Sequence, residues 1–148
     1  MGSAIAIHLA QTGSEVLLLD LPAKEGPRNS VAEGALKAAM KSKPSPIYSK
    51  RFANRITCGN FDDDLSKISE YDWILEVIVE RLDIKQGLFE RIEEHRKPGT
   101  LITSNTSGIP ISQLSEGRSE DFQKYFCGTH FFNPPRYLQL FEVIPGPN

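Results

Sequence analysis

The chain has 148 residues, 39% of them hydrophobic, which fits one domain with a real core. Its formal charge of -2, from 19 acidic and 17 basic residues, argues against a nucleic-acid partner and against disorder. Cys58 and Cys127 lack the spacing of a disulfide scaffold or a zinc site, so we expect a reduced cytosolic or organellar protein with no bound metal. No apolar run reaches the roughly 18 residues of a membrane span.

Helices and strands alternate in the first half of the chain. Apolar residues at helical spacing predict a helix over Met1 to Thr12, ended by Gly13. The apolar run from Glu15 to Asp20 predicts a strand buried on both faces. A helix with Val31 on its apolar face is predicted over Ser30 to Lys43, where Pro44 ends it. The other predicted elements are a loop over 22–28, a short strand within Phe52 to Cys58, and an acidic loop over 62–64.

The same alternation continues in the second half. Trp73 to Val79 predicts a fully apolar strand that closes at Glu80, and Asp83 to His95 predicts an amphipathic helix with Ile84 on its inner face. The remaining predicted elements are a strand over Thr100 to Thr103, a helix over Ile109 to Leu114, and strands over Tyr125 to Phe132 and Leu138 to Ile144. This order predicts an α/β fold with a largely parallel sheet.

The first helix and strand form the second half of a βαβ unit, in which Gly2 would be the third glycine of a dinucleotide-binding loop. Asp20 ends its strand 18 residues after Gly2, close to the spacing of about 20 residues expected for an acid that binds the adenosine ribose. A carboxylate there favours NAD over NADP. The alternative for Asp20 is an ordinary solvated acid at the end of a strand.

Glu80 and Lys85 frame the turn after the strand Trp73 to Val79. Ligands in an open parallel sheet bind at the carboxyl ends of strands, so this turn should face the same crevice as Asp20. The alternative is an exposed pair at the start of a helix, where the helix dipole favours an acid.

A polar loop and a histidine–glutamate pair are the candidate catalytic groups. Ser104 to Gly108 follows a strand and could supply hydroxyls, although such a loop could also be an ordinary turn. His130 ends an apolar strand, and Glu142 lies inside the next apolar run, where burial without a partner would be costly. A hairpin-like return would bring Glu142 beside His130, fix the imidazole tautomer and raise its basicity. A hydrogen-bonded structural histidine is the alternative.

Three motifs carry a family resemblance. Ser-Asn-Thr-Ser from Ser104, Gly-Thr-His-Phe-Phe-Asn-Pro around His130 and Leu-Phe-Glu-Val-Ile around Glu142 resemble the NAD-binding domain of the 3-hydroxyacyl-CoA dehydrogenases. The resemblance covers nearly the whole chain. The loop over 22–29 and the segment over 129–138 look most like the large fatty-acid β-oxidation members from bacteria.

The resemblance implies a Rossmann-like, doubly wound fold and the oxidation of (3S)-hydroxyacyl-CoA to 3-ketoacyl-CoA. In it His130 would be the general base, Glu142 would orient it, and Ser107 would bind the reacting oxygen of the substrate. Lys41 or Lys43, on the helix after the second strand, would contact CoA, unless they only form a solvated face. NAD would be the cofactor, and its implied binding residues are Gly2, Asp20, Glu80, Lys85 and Asn133.

Two parts of the family pattern are absent from the sequence: the first strand with its two glycines, and the helical C-terminal domain with a catalytic asparagine. We therefore expect residues 1–148 to be an NAD-binding domain truncated at both ends, at Met1 and at 145–148. Its parent would be oligomeric or multidomain and located in the bacterial cytoplasm, with a mitochondrial location left open.

Two alternative functions stay open at this point. The first is a 3-hydroxybutyryl-CoA or related hydroxy-acid dehydrogenase with the same catalytic pair. The second is a non-catalytic nucleotide-binding module, against which the set of Ser107, His130 and Glu142 argues.

Overall fold

The computed structural model describes residues 1–146, so Pro147 and Asn148 of the predicted C-terminal end lie outside the described part. The helices are α1 (Gly2–Gln11), α2 (Ser30–Met40), α3 (Leu82–His95), α4 (Ile111–Leu114) and α5 (Glu120–Lys124). The strands are β1 (Val16–Asp20), β2 (Ile56–Asn60), β3 (Trp73–Glu76), β4 (Leu101–Ser104), β5 (Phe126–Phe131) and β6 (Phe141–Ile144). Short 3₁₀ helices cover Lys50–Arg55 and Leu65–Glu70. No helix among the described residues has the length and apolarity needed to cross a membrane.

The chain divides into two compact units, each with its own sheet. The first comprises residues 1–65 and 132–139, and its strands β1 and β2 are parallel. The second comprises residues 66–131 and those from 140 onward. Its four strands lie in the order β3-β4-β5-β6, with β6 antiparallel to β5 and the others parallel. The predicted α/β class with a largely parallel sheet is therefore confirmed.

Helix α1 supplies the buried core of the first unit. Ile5, Ile7 and Ala10 are at most 1% exposed. Ile5 and Ile7 are two residues apart and therefore lie on opposite sides of the helix, so α1 is buried on more than one side. Helix α1 packs against α2 and β1.

Aromatic packing forms the core of the second unit. Phe89 of α3 meets Phe122 of α5 and Phe126 of β5 edge-on, with ring centroids 5.6 and 5.2 Å apart. Edge-to-face contacts of this kind add about 0.5–1.5 kcal/mol to the area that each ring buries. The cluster holds α3 and α5 to β5.

Gly128 lets two neighbouring elements approach β5 closely. A Cβ atom at this position would lie 2.8 Å from Cδ1 of Ile111 and 3.1 Å from Cβ of Ile144. The first distance is shorter than real Cβ contacts, so a larger residue would require the Ile111 side chain to change its conformation and Ile144 to shift slightly.

Several predicted bounds and faces in the first unit were wrong. Helix α2 ends at Met40, three residues before the predicted end, because a residue that precedes proline avoids the helical region and the chain leaves the helix ahead of Pro44. The predicted apolar side of α2, which also includes Ala35, Leu36, Ala39 and Met40, is half-buried at those four residues, whereas Val31 is 39% exposed and Ala32 is the fully buried residue. Strand β1 is half-buried throughout, since it pairs only with β2 among the described residues. The short strand predicted within 52–58 lies later, at β2.

In the second unit, β3 and α3 differ from their predicted form. Strand β3 ends at Glu76, because the carboxylate of Glu76 accepts a hydrogen bond from the N–H of Ile78 and turns the backbone out of the ladder. Val79 is consequently 59% exposed. On α3 the inner face contains Lys85 in place of Ile84, which is 39% exposed.

The end of the second unit also differs from the prediction. The last strand is β6, four residues long and exposed throughout, where the sequence predicted a longer apolar strand. Helix α5 and both 3₁₀ helices, of five and six residues, were not predicted, because segments this short carry little periodicity.

Candidate active site

A histidine and a glutamate face each other across β5 and β6. His130 and Glu142 are directly paired residues of the antiparallel ladder, so their side chains leave the same face of the sheet. Nδ1 of His130 lies 2.9 Å from Oε2 of Glu142. The predicted proximity is therefore confirmed. The predicted burial of Glu142 was wrong, because β6 is the edge strand of its sheet and the side chain is 49% exposed.

The loop that follows β4 carries Ser107. Residues 104–106 turn away from the strand, with the N–H of Asn105 bonded to the carbonyl of Glu76. The amide oxygen of Asn105 in turn accepts the N–H of Phe131, at the end of β5. Ser107 is exposed, and no hydrogen bond of its hydroxyl occurs within the described residues. The loop is therefore fixed by its backbone and its neighbours, while the Ser107 hydroxyl is available to a substrate.

The carboxylate of Glu80 accepts three hydrogen bonds from this loop. Its Oε1 accepts the hydroxyl of Thr106 and the N–H groups of Ser107 and Gly108, the last two at 3.1 and 3.0 Å. Its Oε2 lies 3.3 Å from Nζ of Lys85. Partial burial acts to raise the pKa of Glu80. The hydrogen bonds and the ammonium outweigh this effect and lower the pKa to about 2.

The ammonium of Lys85 is buried between two carboxylates. Its side chain is 1% exposed and donates to Oε1 of Glu76 at 2.7 Å, where the Glu76 side chain is 0% exposed. Oε2 of Glu76 accepts the hydroxyl of Ser104 at 2.5 Å. The alternative of an exposed pair at a helix start is therefore wrong for Lys85, which belongs to the core, whereas the Glu80 side chain is 42% exposed.

Sequence reasoning missed Glu76, although a signal for it was present. Glu76 lies inside the apolar run from Trp73 to Val79, as Glu142 lies inside its own apolar run. An acid in such a run needs a partner if it is buried. Lys85, one turn into the next helix, was a candidate partner that the same argument could have found.

The first unit contains Gly2 and Asp20. Gly2 is the first residue of α1, and Asp20 is the last residue of β1. Oδ1 of Asp20 accepts the N–H of Leu21 at 2.8 Å, which directs the half-buried carboxylate along the end of the strand. That Asp20 and Glu80 line one crevice stays a prediction.

Ionic and amide contacts hold the loop that follows Asp20. Arg28 donates to Oδ2 of Asp63 from Nε, at 2.6 Å, and the two side chains are about half exposed. The buried amide of Asn60 donates to Oδ1 of Asn29 at 2.6 Å. The loop after β1 is thus tied to the loop after β2, which gives Asp20 a fixed surrounding backbone.

The remaining predicted residues are exposed. Asn133 precedes Pro134 in a cis peptide bond and belongs to the first unit. Lys41 follows the last residue of α2, and Lys43 lies two residues further on. Exposure is compatible with contact to a ligand and equally with a solvated face, so these roles stay predictions.

Comparison with known proteins identifies the family. The model of the family described as "3-hydroxyacyl-CoA dehydrogenase, NAD binding domain" matches residues 1–148. The chain belongs to this family. Its cofactor is therefore NAD, and the family is one of NAD-dependent oxidoreductases. The resemblance predicted from the sequence is confirmed.

Two curated relatives and one solved structure illustrate the match. The chain is 46% identical to a "Probable 3-hydroxyacyl-CoA dehydrogenase" of Bacillus subtilis, covering 98% of this chain and 20% of that protein. It is 49% identical to a protein of the same name from Deinococcus radiodurans, covering 98% and 42%. The structure of 3-hydroxybutyryl-CoA dehydrogenase from Escherichia coli superposes with a TM-score of 0.77 at 30% identity, covering 97% of this chain and 30% of the other. The chain thus spans less than half the length of these relatives.

The low pKa of Glu80 predicts an acid-dependent loss of stability. A folded-state pKa of about 2, against an ordinary value of 4.5, means that Glu80 stabilises the fold above pH 4.5 and loses this contribution as the pH falls toward 2. We expect the unfolding free energy of Glu80→Gln to fall less between about pH 5 and about pH 3 than that of the wild type. Urea unfolding at both pH values measures it.

Glu116→Gln is the matched control, because Glu116 is an exposed glutamate with no hydrogen bond or ion pair within the described residues. The unfolding free energy of Glu116→Gln should change between about pH 5 and about pH 3 as much as that of the wild type. Equal acid sensitivity in Glu80→Gln and the wild type would contradict the assignment.

Proposed function

We propose that the chain is the NAD-binding domain of a longer enzyme that oxidises (3S)-hydroxyacyl-CoA to 3-ketoacyl-CoA in fatty-acid β-oxidation. The observation that carries the proposal is the pair of His130 and Glu142, with 2.9 Å between Nδ1 and Oε2. Ser107, at the end of a loop in the same unit, completes the set of groups that the reaction needs. The resemblance to the large bacterial members supports β-oxidation as the process.

In the proposed reaction His130 is the general base. Because Nδ1 faces Glu142, the carboxylate keeps a proton on Nδ1, and the proton of the substrate's 3-hydroxyl is taken up at Nε2. The imidazolium that forms is stabilised by the carboxylate beside it. Glu142 thus acts through His130 as a positioning residue, and its own exposure does not weaken this role.

Ser107 would bind the oxygen of the reacting carbon. Its hydroxyl can donate to that oxygen as the C–O bond gains double-bond character, while its own N–H stays bonded to Glu80. NAD would supply the acceptor for the hydride of C3. The hydroxyl proton would go to His130 and the hydride to that acceptor, so the substrate would lose two electrons and two hydrogens and a carbonyl would remain.

Residues of each unit, taken separately, suit parts of the cofactor. Asp20 ends a parallel strand with a half-buried carboxylate, which suits the ribose hydroxyls and would repel the phosphate of NADP. Gly2 opens α1, and a helix N-terminus suits the pyrophosphate. Asn133 is exposed and would approach the nicotinamide end. Lys85 is buried, so its contribution to the NAD site is made through Glu80.

A short-chain substrate is the second candidate. The similarity to the Escherichia coli protein named 3-hydroxybutyryl-CoA dehydrogenase favours it. The catalytic pair acts on C3 and is the same for both candidates, so it does not distinguish them. Assays with hydroxyacyl-CoA substrates of increasing chain length do.

We also propose an acyl-CoA as the substrate class of the parent enzyme, with Lys41 as a CoA contact, and a bacterial cytoplasmic location.

Glu142→Gln tests the catalytic pair. In the longer enzyme we expect kcat to fall about 100-fold or more, the scale of lost acid–base catalysis, because a neutral amide no longer stabilises the imidazolium. NAD affinity should be nearly unchanged. Steady-state kinetics and calorimetric NAD titration measure the two quantities, and unchanged turnover would show that the pair is structural.

Asp20→Ala tests the adenosine side of the proposal. NAD binding should weaken by about 1.5–3 kcal/mol, the range for a hydrogen bond to a charged group, and discrimination against NADP should relax. Titration with both dinucleotides measures the effect. An NAD affinity equal to that of the wild type would show that Asp20 is an ordinary solvated acid at the end of a strand.

The isolated chain should be inactive. Only the third glycine of the dinucleotide motif lies within it, at Gly2, so we expect no measurable dehydrogenase activity and much weaker NAD binding than in the longer enzyme. We also expect either self-association or the pairing of another segment of the chain with the open strand edges, because unpaired strand edges favour pairing. An activity assay, calorimetry and light scattering test these expectations. Turnover near that of the longer enzyme would overturn the first, and a well-ordered monomer whose strand edges stay open would overturn the second.

A further inference from the structure

We infer that Glu76 is a positioning residue for the reaction: through Lys85, Glu80 and Ser104 it sets the position of the Ser107 loop. This inference rests on the proposed function, in which Ser107 binds the reacting oxygen. Glu76 has no direct route to a substrate, since its side chain is 0% exposed.

Both oxygens of Glu76 are engaged, and each leads toward the loop. Oε1 accepts the ammonium of Lys85 at 2.7 Å and the N–H of Ile78 at 2.6 Å. Oε2 accepts the hydroxyl of Ser104 at 2.5 Å. Three strong donors hold this fully buried carboxylate in position, because any displacement would leave its charge uncompensated in a medium of low polarity.

The first route runs through the two charged side chains. Lys85 lies in the first turn of α3, where the helix dipole disfavours a cation, so its burial as an ammonium depends on the carboxylates around it. Glu76 fixes one side of the ammonium, and Glu80 lies 3.3 Å away on the other. Glu80 in turn accepts the N–H groups of Ser107 and Gly108.

The second route runs through the beginning of the loop. The hydroxyl of Ser104, held by Glu76, accepts the N–H of Thr106 at 3.3 Å. The hydroxyl of Thr106 donates to Glu80. The segment over 104–108 is therefore held at its start by Glu76 and at its end by Glu80, and Lys85 couples the two carboxylates. Without Glu76, Ser107 would lose the geometry that its role requires.

A double-mutant cycle in the longer enzyme tests the inference. We expect Glu76→Gln to lower kcat about 10- to 100-fold, the scale of a misplaced reacting group. In a Ser107→Ala background the same change should lower kcat by less than about 2-fold, because residues that act through one another are not additive. Equal losses in both backgrounds would overturn the inference. A wild-type kcat in Ser107→Ala would overturn it together with the role of Ser107.

Hydrogen exchange gives a readout that does not depend on activity. In Glu76→Gln the amides of Ser107 and Gly108 should exchange faster than in the wild type, since Glu80 loses its anchor. Asp121→Asn is the matched control, because it removes the partner of the 5% exposed Arg96 and an acceptor of the Gly99 N–H. It should speed exchange at Gly99, leave Ser107 and Gly108 protected, and keep wild-type kcat.

The two assays separate the inference from the proposed function. If the loop amides exchange faster in Glu76→Gln but the wild-type enzyme is inactive toward hydroxyacyl-CoA, the proposed function would be contradicted and the positioning network would stand. Unchanged loop exchange in an active Glu76→Gln enzyme would overturn the inference alone. If Glu76→Gln does not fold, the variant Ser104→Ala tests the second route alone. Ser104→Ala should lower kcat, and its effect should be much smaller in the Ser107→Ala background. Additive effects on kcat would again overturn the inference.

Discussion

The second unit depends on one buried positive charge. An ammonium with 1% exposure would be strongly unfavourable alone, and the chain compensates it with Glu76 and Glu80. Removing one partner of such a buried pair costs about 3–5 kcal/mol, mostly because a charge is left without compensation. The same contacts determine where β3 ends, how α3 begins and where the following loop lies. One electrostatic requirement therefore constrains three segments of the chain: the end of β3, the start of α3 and the loop after β4.

The histidine–glutamate pair depends on a different constraint, the register of two strands. His130 and Glu142 meet because they are opposite one another in an antiparallel ladder, and a shift of one residue would place Phe141 or Val143 opposite the imidazole. Gly128 contributes to this register, since it leaves room for Ile144 against β5. The catalytic geometry proposed here thus rests on backbone pairing and on one small residue, with no buried charge at the pair itself.

Much of the fold could be predicted from the sequence, and the exceptions have a common cause. Alternating apolar runs indicated the parallel strands, and the motif around His130 indicated its partner. An apolar run around an acid does not by itself predict whether the acid is buried, because Glu76 and Glu142 have similar sequence surroundings and different exposures. Glu76 is covered by the side chain of Lys85 from α3, whereas Glu142 lies on the exposed edge strand β6. Periodicity reports which residues are apolar, but it carries no information on which strand becomes an edge.

The spacing between His130 and Glu142 has a consequence for how such domains can vary. Residues 128–131 and 141–144 form the ladder that pairs these side chains, and the segment over 132–139 belongs to the other unit. That connection can change in length by insertion or deletion while the pair stays intact, provided that the strands keep their pairing. A single deletion inside β6, by contrast, would exchange its two faces and replace the carboxylate by a hydrocarbon. Changes in length should therefore preserve the pair when they fall between the strands and leave the position of Asn133 unchanged, and should disrupt the pair when they fall within the strands.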